Sequence, residues 1–198
     1  FDKTPEPLRF ALANPGALPF LAPYMEAAEA LLAHRQVEFR NGDHPVTWQF
    51  IEGAFPTHLR SASAHDWPKP DAILFDAYSP ARNPEMWTLP LFQGLHALLD
   101  PRRPCSMATY SRSTLLRVTL LLAGFHVGAG HATGEKEETT VAANHLSLVS
   151  QPLDAAWLRK VQRSSSAEPL MRPEYRQAPL SPEGRADVAH ALEAIGAL

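Results

Sequence analysis

Apolar positions recur along this chain in two rhythms, and each change of rhythm marks a change of element. Over residues 5–34, Leu8, Leu12, Leu21, Met25, Ala28, Leu31 and Leu32 fall at helical spacing, interrupted by Pro5, Pro7, Pro15, Pro19 and Pro23. Proline removes a backbone donor, so the pattern predicts broken helices followed by a longer one near 20–34. Val37 and Phe39 then alternate with polar residues, as do Val46, Trp48 and Phe50, with Asn41-Gly42-Asp43 between them. That predicts a hairpin with a loop longer than two residues. Residues 55–70 carry prolines and small polar residues, which suggests a short helix and then a loop.

The apolar run from Ala72 to Phe75 reads as a buried central strand over 71–76, closed by Asp76 and by turns at Ser79-Pro80 and Asn83-Pro84. Trp87, Leu91, Leu95 and Leu98 predict a helix within 84–99 that tolerates Pro90 only near its first turn, and their spacing makes Trp87 a core residue. Residues 105–110 predict a strand, Ser111 or Ser113 a cap, Leu115–Ala123 a helix and Gly124 its end. Phe125–Val127 and Thr139–Val149 predict two more strands. The dozen residues between those two hold no helical pattern, so they pair antiparallel. This strand–helix alternation is the α/β order. From Gln162 to Pro182 the composition shifts to Ser, Pro, Arg and Glu, an extended linker or arm. An amphipathic helix follows, capped by Ser181 with Pro182 in its first turn and apolar at Val188, Leu192 and Ile195. The organisation expected is a domain over 1–150 and an extension over 151–198.

Composition narrows the class. The 198 residues suffice for a sizeable core, and 45% are hydrophobic. A net charge of −3 and a pI of about 6.3 argue against a generally basic surface that coats nucleic acid. A local basic patch remains open, because 14 of the 18 cations are arginine, the better phosphate ligand. Arg82, Arg102, Arg103, Arg112 and Arg117 are the candidates for a phosphate-binding face. The single cysteine, Cys105, permits no internal disulfide and reads as a core thiol. The nine histidines show no metal-ligand spacing, so no metal is implied. With no apolar run of about 18 residues and no signal peptide, the expectation is a soluble, cytoplasmic protein with no membrane partner. Opening on Phe1 and Asp2, the chain reads as a piece that begins inside a domain.

Asp76 is the most informative polar residue. An acid at the carboxyl end of a strand, followed by a loop, is where open α/β sheets place ligand chemistry. Capping of the next turn is the competing reading.

The strings DAILFDAYSPARNPEMWT, SMATYSRST, LLAGFHV and HATGEKEETTVAA occur in that order. Together they resemble the S-adenosylmethionine-dependent methyltransferases of tRNA wobble-uridine modification, specifically the domain that forms 5-methylaminomethyl-2-thiouridine. The resemblance covers roughly residues 1–150 and implies a class I, Rossmann-like sheet of order 3-2-1-4-5-7-6 with strand seven antiparallel. It implies that the first strand and its Gly-rich turn would precede Phe1. It assigns Asp2, followed by Lys3-Thr4-Pro5, to the cofactor ribose, and Glu52, with Gly53 beside it, to the adenine. The family has Phe-Gly-Asp where this chain has Phe50-Ile51-Glu52. Asp76 becomes both a cofactor contact and the catalytic group. Tyr78, Ser79, Pro80 and Tyr110 would line the acceptor pocket, and Lys136, between Glu135 and Glu137, would meet a phosphate. The implied cofactor is S-adenosylmethionine, and the implied partners are tRNA and an oxidase, fused in some members and otherwise in trans. A methyltransferase of the same fold acting on another amine or a small molecule, and a non-catalytic interaction module, are the alternatives.

Overall fold

Proline decides where the first helices start and stop. In the computed structural model, which describes residues 1–132, 134 and 138–194, α1 (Glu6–Ala13) opens behind Pro5 with Pro7 in its first turn. Two tight 3-10 turns follow, Pro15–Ala17 and Pro19–Tyr24, the second holding Pro23. The longer helix therefore begins only at α2 (Met25–His34), later than its apolar spacing suggested, because Pro23 has no N–H for a helical bond. Strands β1 (Gln36–Asn41) and β2 (His44–Gln49) pair antiparallel with Asn41 opposite His44. The connecting turn is thus the two residues Gly42-Asp43, shorter than expected, with Gly42 at φ +59°. Phe39 and Trp48 meet edge to face at 4.7 Å, and Tyr24 lies 5.9 and 5.8 Å from them. Each such pair adds about 0.5–1.5 kcal/mol beyond its buried area.

The chain divides into two compact units, Phe1–His58 and Leu59–Leu198, and the short helix α3 (Phe55–Leu59) carries it from one to the other. The second unit is a mixed sheet with helices. Strand β3 (Ala72–Leu74) leads through α4 (Leu89–Ala97) to β4 (Ser106–Thr109), which pairs parallel to it. Then come α5 (Thr114–Leu122), β5 (His126–Gly130) and β6 (Thr139–Ala143). The order is β3-β4-β6-β5, with β6 antiparallel to both neighbours. That is the 4-5-7-6 half of the order the resemblance implied. The fold is α/β and of the methyltransferase type.

The sequence points to the Ser113 cap and not to the Thr88 cap. Thr88 Oγ1 accepts the Leu91 N–H at 3.3 Å, Ser113 Oγ accepts the Leu116 N–H at 3.1 Å, and Pro90 sits in the first turn of α4. Gly124 ends α5 at φ +100°. The interior holds Phe92, Met107, Leu116, Val118, Leu120, Phe125 and Val127, each at most 2% exposed, with Cys105 beside them.

Strand β3 stands last in the order formed by the described residues, the position next to which the resemblance puts the strand expected before Phe1. Two features depart from the expectations. The final strand ends at Ala143, because Asn144 turns aside to stitch a loop. Its Oδ1 accepts the Cys105 N–H at 2.8 Å, and its Nδ2 donates to the Asp100 and Arg103 carbonyls at 3.0 Å each. The stretch after 150 packs onto the second unit: Gly128 bridges Pro152, and a helix not foreseen, α6 (Ala155–Val161), buries Leu158 and Val161. The expected arm is extended, but Ala167, Leu170 and Leu180 are buried along it. Helix α7 (Pro182–Ala194) packs on α5 through the fully buried Val188 and Leu192, and Ile195 lies outside the described residues. No helix among the described residues is long and apolar enough to cross a membrane.

Two histidines make this unit sensitive to acid. His96 packs edge to face on Phe125 at 4.8 Å, and His126 Nδ1 is buried with no hydrogen-bond partner among the described residues. Burial, and then nearby His126, lower the His96 pKa; burial, and then His145, lower that of His126. A depressed histidine pKa means that the unfolded chain takes up protons first. Stability is therefore full above the ordinary value of 6.5 and declines as pH falls below it. The melting temperature should drop between about pH 7 and pH 5, and His126→Gln should flatten that slope. A variant keeping the whole wild-type slope would remove His126 from the explanation.

Candidate active site

In the second unit the register of β3 on β4 gathers the candidate residues at one edge. Leu74 lies opposite Ala108, and the Phe75 N–H donates to the Ala108 carbonyl at 3.1 Å, so pairing ends one residue before Asp76. Asp76 stands exposed at the carboxyl end of the strand. Strand β4 ends beside it at Thr109, which leads into Tyr110 and Ser111. Because β6 runs antiparallel, with Thr140 opposite Thr109, β5 ends and β6 begins at the same edge.

Trp87 gives the loop after Asp76 its shape. The indole is 2% exposed, meets Phe75 edge to face at 5.4 Å and donates from Nε1 to the Tyr78 carbonyl at 2.7 Å. The Ser79 carbonyl accepts the N–H groups of Arg82 and Asn83 at 2.9 Å each, which closes a tight turn around Pro80. With its backbone pinned, Tyr78 holds its ring outward at 76% exposure, and Tyr110 is 54% exposed. Asp76, Tyr78, Ser79, Pro80 and Tyr110 thus share one edge. Lys136 lies outside the described residues. Ser113 caps α5, while Ser111 Oγ accepts the Ser113 N–H at 3.3 Å.

The first unit brings Asp2, Glu52 and Gly53 together. Asp2 and Glu52 form a parallel bridge: the Asp2 N–H donates to the Ile51 carbonyl at 3.3 Å, and the Gly53 N–H donates to the Asp2 carbonyl at 2.8 Å. Residues in register on parallel strands project to the same side, so the two carboxylates are neighbours. Asp2 Oδ1 accepts the Thr4 N–H at 3.2 Å. The remaining acceptor capacity of this exposed carboxylate suits the donor hydroxyls of a ribose, so Asp2 fits that part of the implied cofactor. Gly53 sits at φ +133°, where a Cβ would lie 2.6 Å from His58 Nε2, and that nitrogen is 3.1 Å from the Glu52 carbonyl. Only glycine fits this turn.

Sequence reasoning missed Arg35. It ends α2 in the left-handed conformation, φ 64°, which costs a non-glycine residue about 1–2 kcal/mol. Its guanidinium pairs with Glu52 at 2.5 Å and lies 5.1 Å over the Phe50 ring. Glu52 therefore arrives at the bridge already partnered. Nothing in the spacing of Arg35 marks that contact, which depends on the hairpin folding back.

The candidate phosphate-binding arginines separate. Arg117 is buried on α5 and donates to Thr140 Oγ1 at 3.0 Å, to the Thr139 carbonyl at 2.8 Å and to Glu138, fixing the start of β6. Arg103 forks onto Asp71 with two bonds of 2.5 Å, and its hydrogen bond lowers the Asp71 pKa. Arg102 lies 3.7 Å from Asp100. Asp71 and Arg103 precede β3 and β4, at the edge opposite Asp76. Arg82 and Arg112 remain exposed on the Asp76 side.

Comparison with known proteins identifies the family. Residues 34–145 match a family described as S-adenosyl-L-methionine-dependent methyltransferase. The tRNA 5-methylaminomethyl-2-thiouridine biosynthesis bifunctional protein MnmC of Methylibium petroleiphilum is 37% identical over 87 residues, 44% of this chain and 13% of that protein. Its counterpart from Ectopseudomonas mendocina is 33% identical over 97 residues, 49% of this chain and 14% of the relative. The crystal structure of MNMC2 from Aquifex aeolicus superposes with a TM-score of 0.56 at 27% identity, covering 88% of this chain and 52% of that one. The chain thus spans a small part of the bifunctional relatives and about half of the Aquifex chain. With more than half of its residues matched by the family model and the methyltransferase sheet order in place, this chain belongs to the S-adenosyl-L-methionine-dependent methyltransferases.

Proposed function

We propose that this chain methylates the aminomethyl nitrogen of the wobble uridine in tRNA. The observation that carries the reading is the exposed Asp76 at the end of β3, next to a tyrosine whose backbone Trp87 holds in place. Bound S-adenosylmethionine supplies an activated methyl group and a neutral sulfur leaving group. The acceptor amine must be neutral to attack. Asp76 accepts an N–H hydrogen bond from it, aims its lone pair and takes the proton released, directly or through one water. Holding the amine in line at about 3 Å can supply several kcal/mol of the barrier. Tyr78 presents an aromatic face on which a splayed uracil stacks. Ser79, Pro80 and Tyr110 complete the acceptor side, Lys136 meets a phosphate, and Asp2, Glu52 and Gly53 hold the adenosine.

In this reading the methyltransferase domain covers 1–150 with 151–198 as its extension, the enzyme works in the cytoplasm, and an oxidase acts as partner in trans. The net charge of −3 supports a second reading, a small amine as acceptor. Labelled methyl transfer to undermodified tRNA, followed by nucleoside analysis, separates the two. Label in the wobble nucleoside is the expected result. A protein that binds the cofactor yet leaves tRNA unlabelled would send the search to small amines.

A further inference from the structure

Residues 171–177 form an excursion with a fixed base. Before it, the Ala167 and Glu168 N–H groups both donate to the Ala178 carbonyl, at 2.9 and 3.0 Å. Glu168 in turn accepts the Ser181 N–H at 2.8 Å and the Ser181 hydroxyl at 3.1 Å. Leu170 and Leu180 are buried at 1% and 3% exposure. Between these anchors every residue from Met171 to Gln177 is exposed. The excursion therefore keeps its place while burying none of its own side chains.

Its place is beside the candidate acceptor loop. Leu170 bridges Thr88, and the Leu170 carbonyl accepts the Leu89 N–H at 2.8 Å. Thr88 caps α4, the helix that begins where the Asp76–Trp87 loop ends. A helix following a parallel strand starts at that strand's carboxyl end, so the excursion leaves from the edge that carries Asp76, Tyr78 and Tyr110.

Its chemistry suits one kind of partner. Arg172 and Arg176 flank Glu174 and Tyr175, which makes the excursion net positive on a protein of net charge −3. Among the described residues neither arginine is paired with a carboxylate. Tyr175 is 42% exposed, and its hydroxyl is held by Gln177 Nε2 at 2.7 Å. Three of the chain's four tyrosines thus belong to this edge and its excursion, with Arg82 and Arg112 also exposed at the edge. Planar guanidiniums bind phosphate in a fork, and exposed aromatic rings stack on unpaired bases.

We propose that the 171–177 excursion is an RNA-contacting surface, with Arg172 and Arg176 on backbone phosphates and Tyr175 against an unpaired base. The proposal rests on the reading of tRNA as acceptor. It is tested in the full chain by measuring the Kd for undermodified tRNA between about 50 and 200 mM salt, with cofactor affinity and melting temperature alongside. Replacing both arginines by alanine should weaken tRNA binding about tenfold or more at the low-salt end and make the slope of log K against log salt shallower by roughly 1.5–2. Lysines at both positions should restore most of the slope, and Tyr175→Ala should weaken binding without changing it. Cofactor affinity and melting temperature should stay at wild-type values. If the wild type methylates tRNA and the double variant binds it equally well with the same slope, the excursion is not the RNA surface. If the wild type neither binds nor methylates tRNA, the acceptor reading falls and this inference falls with it.

Discussion

Asp76→Asn should lower turnover by about 10²–10⁴-fold while changing cofactor affinity far less. The substitution keeps the side chain's shape and one carbonyl acceptor and removes only the group that takes a proton. Asp76 lies one residue beyond the last strand bond of β3 and is exposed, so neither packing nor pairing should suffer. A loss confined to kcat therefore reports a role in the chemical step. Asp76→Ala should fall further, because the alignment of the amine is lost as well. The check is single-turnover methyl transfer with cofactor affinity from calorimetry. Equal losses in both quantities would make Asp76 a scaffold of the loop, the capping role its position also allows.

Trp87→Ala should destabilise the protein by about 3–5 kcal/mol, the usual cost of removing a large buried aromatic. That is a large share of the roughly 5–15 kcal/mol by which a domain is stable. Two effects contribute, and their sizes rank them. The indole packs on Phe75 at 5.4 Å and is almost fully buried, so the cavity dominates. Its bond to the Tyr78 carbonyl adds about 0.5–1.5 kcal/mol. Trp87→Phe separates them: it keeps much of the packing, frees the carbonyl and should cost closer to 1–2 kcal/mol. The same variant should raise KM for the acceptor, because Tyr78 and Ser79 lose the tether that places them. Denaturant unfolding of the two variants decides the matter. A cost below about 1 kcal/mol for Trp87→Ala would mean that the loop repacks without its pin.

The amino-acid sequence by itself determined the local elements of this protein. Thr88 and Ser113 start helices because short hydroxyl side chains satisfy free N–H groups, wherever the helix then packs. Pro90 falls in the first turn and Gly124 beyond the last for equally local reasons. The antiparallel final strand was legible because a dozen residues without helical pattern cannot carry a parallel crossover. Trp87 was legible as core from its spacing with Leu91 and Leu95. The methyltransferase family was legible in the motif that places Asp76.

What a residue meets across the fold was decided only in three dimensions. Arg35 reaches Glu52 only because the hairpin returns the chain across 17 residues. Arg117 looked like a phosphate ligand and proved to be a buried brace, because α5 turns that position toward the start of β6. The segment after 160 carries the composition of a free arm, yet Leu170 and Leu180 are buried, since a few apolar anchors suffice to pin a polar stretch. Caps and turns are settled within about four residues, whereas ion pairs, lateral strand partners and anchors are settled by elements distant in sequence, and the candidate site is built mostly from the latter.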